Sequence, residues 1–197
     1  MMISALILIL TAVAYRIAAG LLIHSGTALW VSNFAPMAAI ALCGAVYFPA
    51  RYKFAVPLGA LFLSDLVLNY IYHAPLVQAQ MLGHYIALAL IGLLGIALQN
   101  RASLKTLLPA SLLGSAIFYV VVNLFSWMSD PGYTKDFAGL IQAQTVGLSQ
   151  YSATPTWMFF RNSLLSDLFF TFLFVACMNF GRQTSRARAG AALPRVA

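Results

Sequence analysis

The 197-residue chain contains no glutamate and only four aspartates. Charged residues of both signs make up 8% of it, against 62% hydrophobic, and the mean hydropathy is +0.88. Such a chain cannot dress a globule in water-facing groups, so a soluble domain is excluded. Cysteine is scarce as well: Cys43 and Cys177 both fall in apolar runs, without CxxC or zinc-like His/Cys spacing, and a disulfide framework is not indicated. Walker, HExxH and GxSxG motifs are missing, so any ATP energy must come from partner chains, no enzymatic signature is found and no cofactor is expected.

What the chain does have is runs of ~20 apolar residues, each long enough to cross a bilayer. They predict an all-α membrane protein, a bundle of six transmembrane helices with approximate spans 3–23, 34–48, 54–72, 81–98, 107–128 and 157–180. One domain, 1–181, is then followed by a disordered basic tail, 182–197. The first span lacks a basic start and carries Arg16, so it reads as retained and not as a signal peptide. Arg51, Lys53, Arg101, Lys105 and the tail arginines collect on one side, with only Lys135 in the opposite links. By the positive-inside rule both termini are cytoplasmic. The net charge of +7 is therefore read as setting topology, and no nucleic-acid partner is expected.

Two of the four aspartates lie inside apolar runs, Asp65 in PLGALFLSDLVLNYIYH and Asp167 in NSLLSDLFFTFLF. A carboxylate at such depth costs ~3 kcal/mol on insertion scales, so both should face the protein interior or a wet cavity. Leu-Ser-Asp-Leu recurs around them, in spans of opposite direction, as an inverted repeat would place it. Arg16 and Arg161 supply two positive charges for these two negative ones. Such groups serve either as an ion-paired strut or as a substrate site or proton relay.

Polar residues also form stripes. Ser111, Ser115, Tyr119, Asn123 and Trp127 recur every four residues, Asp65 and Asn69 are one turn apart, and Asn162/Ser166 and Ser163/Asp167 form adjacent pairs. Stripes on three helices predict a cavity opening outward, lined by Arg16, Asp65, Asn69, Tyr119, Asn123, Trp127, Arg161, Asn162 and Asp167. His24, His73 and His84 fall at its expected mouth and are weak metal candidates, since helix ends tolerate histidine freely. The long link 129–156 has loosely helical apolar spacing over 136–150 and predicts an interfacial helix or a lid. Ala14 and Ala18 make a small-xxx-small face suited to helix or partner docking.

Asn33-Phe34-Ala35-Pro36 followed by Ala38-Ala39-Ile40-Ala41-Leu42-Cys43-Gly44 resembles the NFxPxxAxALxGG opening of a family of small bacterial membrane proteins. Pro57 with Leu63–Leu66 is similar to its next block, and Phe159–Leu168 to its last, FFRNTLLGDL. The resemblance covers most of 16–175, departing at Cys43 and in the longer 142–156 link. That family has no assigned function and is described only in terms of transport. Its plan is in turn similar to the substrate-binding S components of energy-coupling-factor vitamin transporters. The resemblance implies a bacterial inner membrane, adds Asn33 to the cavity residues and gives Ala14 and Ala18 a role in docking a transmembrane coupling subunit with ATPases.

The expectation is therefore a transport protein in the lipid bilayer, a subunit that captures a small vitamin-like or metal-bearing molecule. A solitary proton-coupled carrier using Asp65 or Asp167 is the alternative, with an intramembrane enzyme or a membrane scaffold beyond it.

Overall fold

The computed structural model describes residues 2–25, 34–77 and 79–191. Among the described residues there are seven α-helices and no strand: α1 (Met2–His24), α2 (Met37–Tyr47), α3 (Ala55–Ile71), α4 (Ala79–Leu98), α5 (Leu104–Ser129), α6 (Phe137–Thr145) and α7 (Thr156–Ala191). Four segments are long and apolar enough to cross a membrane: Ala50–Ile71, Met81–Arg101, Leu104–Ser129 and Thr156–Gly181. They correspond to the last four expected spans. The stretches Ile9–Leu22 and Met37–Tyr47 are shorter apolar helices.

The second expected span thus contracts. Pro36 stands at the N-cap of α2 and Pro49 lies two residues past its end, so prolines bracket 11 helical residues. At 1.5 Å per residue α2 is about 16 Å long, roughly half the hydrocarbon thickness of a bilayer. At the other extreme α7 continues to Ala191, so residues 182–191, expected to be disordered, are helical. Alanine, arginine and glutamine in that stretch are good helix formers, and no proline interrupts them. Residues 192–197 lie outside the described residues.

The short turns Ala50–Tyr52 and Gln99–Arg101 lie together at one end of the bundle, where Lys53 Nζ donates to Gln99 Oε1. This basic end is opposite the end that carries α6. Helices α1, α3 and α5 run from the basic end toward α6, and α2, α4 and α7 run back. Nine of the 11 residues of α2, Met37–Ala45, are buried, because α3, α4, α5 and α7 all pack around it.

The closest approach is to α4. A methyl group on Gly95 would lie 2.5 Å from the Leu42 carbonyl oxygen and 2.8 Å from Ala45 Cβ. Gly95→Ala is therefore expected to push the two backbones apart and destabilise by ~1–3 kcal/mol. Gly59→Ala, also inside a helix but with nothing within 4 Å, is the matched control and should leave the unfolding midpoint unchanged or raise it, since alanine favours helix over glycine. Thermal unfolding in detergent reads both.

The 129–156 link contains the predicted helix as α6. Asp136 accepts from the Gly139 N–H at 2.7 Å and from Thr134 Oγ1 at 2.8 Å, capping α6. At the other terminus Gly147 has φ +73°, the left-handed conformation that ends helices with least strain in glycine. Tyr119 Oη donates to the Gln144 carbonyl, and Gln144 Nε2 donates to the Val120 carbonyl at 3.1 Å, tying α6 to α5.

These cap bonds, the Gly139 N–H foremost, hold the Asp136 carboxyl below its ordinary value. A depressed folded pKa means the cap stabilises above the unfolded value of ~4 and is lost as pH falls through the folded value. Protection of α6 amides from hydrogen exchange should fall below pH ~4. Asp136→Ala should show the same loss at neutral pH.

Candidate functional site

Arg16 on α1 and Ser64 and Asp65 on α3 meet because those helices run side by side in the same direction. Arg16 Nη2 donates to Asp65 Oδ1 at 2.6 Å and Nη1 to Ser64 Oγ at 2.6 Å. Ser64 Oγ in turn donates a hydrogen bond to the Leu61 carbonyl at 2.8 Å. Asp65 is 9% exposed, and Arg16 is among the residues that line a cavity beside the pair.

Asp167 on α7 is 2% exposed and makes a different arrangement. Its Oδ2 accepts from Ser115 Oγ on α5 at 2.6 Å, and its Oδ1 accepts from the Ala39 N–H at 3.1 Å. Ala39 is in the first turn of α2, whose N-cap, Pro36, offers no side-chain bond. A carboxylate from another helix thus caps α2, where the N-terminal end of the helix dipole favours negative charge. Ser115 is 11 residues from the start of the 26-residue α5, so this junction lies at about half the depth of the bundle.

The cavity beside it has a volume of about 120 Å³ and is lined by Arg16, Asp167, Ser163 and His84 among apolar walls from Met37 to Phe118. A second chamber, about 50 Å³, shares Phe118, Val122 and Ser163 with it. A third, about 150 Å³, shares Asn123, Thr156 and Phe159 with the second and reaches Gly147, Tyr151 and Ser152 beyond α6. The shared walls make them neighbouring chambers, placed one after another from mid-depth toward the α6 end.

The expected site residues separate into two groups. Arg16 and Asp167 line the deep chamber, Tyr119 the middle one, and Asn123 the middle and outer ones. Asp65 lies behind Arg16 as its ion partner. Asn69 holds the link after α3, donating to the Leu76 carbonyl at 3.2 Å, and Trp127 Nε1 donates to the Thr134 carbonyl at 2.8 Å. Arg161 is exposed and bonds its neighbour, Asn162 Oδ1, at 3.3 Å; Asn162 itself is buried. The idea that two arginines neutralise two aspartates therefore holds for one pair. Positions 161 and 167 are six residues apart, about 240° around the helix, and so face different sides. Asn33 lies outside the described residues.

The three histidines do not converge. His24 stacks on Tyr72 with ring centroids 4.7 Å apart, and His73 takes φ +54° just past the end of α3, so it acts as a turn former. His84 lines the deep chamber, 5.5 Å from the Phe118 ring. Among the described residues no three His, Cys, Asp or Glu side chains gather as a metal site would need. Ala14 and Ala18 are exposed on α1. Ser163 belonged to the polar pair with Asp167 that pattern reading put among the cavity-lining stripes, whereas Met37 and Ala38 line the deep chamber because α2 begins at mid-depth, which pattern reading did not anticipate.

The chain belongs to a family of unknown function, DUF6580, whose model matches residues 1–189. No curated protein matches it, and no solved structure does.

Proposed function

We propose that this DUF6580 protein is a membrane transport protein that captures a small polar solute in the deep chamber. The observation that carries the reading is the placing of Arg16 and Asp167 on one cavity at mid-depth, in line with two further chambers. Ionisable groups so deep in an apolar bundle are costly to bury and characteristically mark solute pathways. The clustering of Arg51, Lys53, Arg101 and Lys105 at the other end supports an orientation with that end in the cytoplasm and the α6 end outside, in a bacterial inner membrane. Access is then from outside, past α6 and the 146–156 segment. With no nucleotide-binding motif, transport by this chain needs a coupling subunit or an ion gradient. The exposed Ala14 and Ala18 of α1 suit close approach by such a subunit, in the manner of an S component.

Ser163 lines both the deep and the middle chambers. Ser163→Leu should fill space in both while leaving the bonds of Asp167 in place. Native mass spectrometry of the purified protein is expected to show a retained small molecule in the wild type and none in Ser163→Leu. An unshifted mass in both, across a broad solute panel, contradicts the capture reading.

One observation favours a second reading, a solitary proton-coupled carrier. The partners of Asp167 are a hydroxyl and a backbone N–H, neither charged, so its carboxyl is free to exchange a proton. Uptake by the protein alone in liposomes, driven by a pH gradient and abolished in Asp167→Asn, is the expected signature.

A further inference from the structure

We infer that the solute is a small zwitterion, of amino-acid size, carrying a cationic and an anionic group on one short skeleton. The inference rests on the capture reading and names its substrate class.

It follows from what each wall of the deep chamber still has to offer. A guanidinium has five N–H donors, and the bonds of Arg16 to Ser64 and Asp65 use two of them. A carboxylate has about four lone-pair sites, and the bonds of Asp167 to Ser115 and Ala39 use two. Both residues line the same cavity, so it presents spare donors of a cation and spare acceptors of an anion to one occupant.

A solute with a single charge pairs with one of these and leaves the spare hydrogen-bonding sites of the other without a partner. A zwitterion pairs both of its ends, which is the condition under which buried charges are tolerated. The remaining walls, Leu61, Met37, Phe118 and Val122 among them, are apolar and suit a short hydrocarbon skeleton between or beside the charges. Size agrees: an apolar cavity of ~150 Å³ accepts benzene, so one of 120 Å³ admits about five non-hydrogen atoms, and the adjoining 50 Å³ chamber leaves room for about one more. A vitamin of several rings exceeds it. His84 and Ser163 also line the cavity.

The test compares three probes of similar length, β-alanine, propylammonium and propionate, by titration calorimetry on the full chain in detergent. β-Alanine is expected to bind at least tenfold more tightly than either singly charged probe. Asp167→Asn should weaken β-alanine at least tenfold, and Ser163→Leu, which keeps both charges, should abolish it. Since Asp167→Asn also touches the cap of α2, the Ser163→Leu result keeps the test decisive if that variant folds poorly. Propylammonium or propionate binding as tightly as β-alanine overturns the zwitterion, while loss of that binding in Ser163→Leu leaves the capture site standing. Binding of none of the three overturns it too. The capture reading then falls as well only if mass spectrometry finds no retained molecule.

Discussion

Asp167→Ala is expected to be strongly damaging, lowering stability by ~2–6 kcal/mol and abolishing solute binding. The change strips the partner from two buried donors, Ser115 Oγ and the Ala39 N–H. Each donor left unsatisfied costs ~1–3 kcal/mol. Water entering from the adjoining cavity can offset only part of this, because Ser115 is fully buried and Ala39 is 1% exposed. The loss concentrates on α2, whose own N-cap is a proline without a side-chain bond. Asp167→Asn separates the two roles. Its carbonyl oxygen still accepts from Ala39, and Ser115 can rotate to accept from the new amide, so stability should fall by only ~1 kcal/mol. The charge is gone, however, and binding should be lost. Thermal unfolding read beside ligand retention distinguishes three outcomes. An alanine variant as stable as wild type contradicts the capping role, and an asparagine variant that keeps its ligand contradicts the charge role. The expected order, wild type above asparagine above alanine in stability with binding only in the first, requires both.

The burial of these aspartates was readable before any coordinates, because lipid-facing charge is so costly. The two Leu-Ser-Asp-Leu segments show how far that reasoning reaches. Leu63 and Leu165 are 62% and 56% exposed, whereas Ser64 and Ser166 are fully buried and both aspartates face inward. Run length likewise marked the four long spans. Hydropathy could not reveal that α2 begins at mid-depth, since an apolar half-helix and a tilted full one have the same composition; Pro36 and Pro49 were the available signal. Pairing was legible only in part. Charges of opposite sign suggested partners, yet Asp167 took a hydroxyl and a backbone N–H, groups every sequence has in abundance. Arg161, near the α6 end, reaches the surface instead, as long cationic side chains near helix ends do. Asn69 and Trp127 belonged to the expected polar stripes of two different helices, and their side chains are engaged by carbonyls of nearby links.

The Arg16–Asp65 pair gives the second large effect, and a double substitution separates strut from site. Arg16→Met alone leaves Asp65 buried without its cation, for which ~3–5 kcal/mol is the usual cost. Asp65→Leu alone should cost less, since Arg16 borders the cavity and can be solvated there. Arg16→Met with Asp65→Leu replaces both charges by apolar groups of similar bulk, and such exchanges are often neutral or better. The double variant should therefore recover most of the stability lost in Arg16→Met, a coupling of several kcal/mol in a double-mutant cycle. Binding is expected to behave otherwise. The cycle restores the packing between α1 and α3 but not the guanidinium on the cavity wall, so the double variant should fold and stay empty. A double variant that is stable and still holds its solute would make Arg16 a strut alone. A stable, empty one assigns the same side chain both tasks, with Asp65 holding it in place and the solute meeting its free donors.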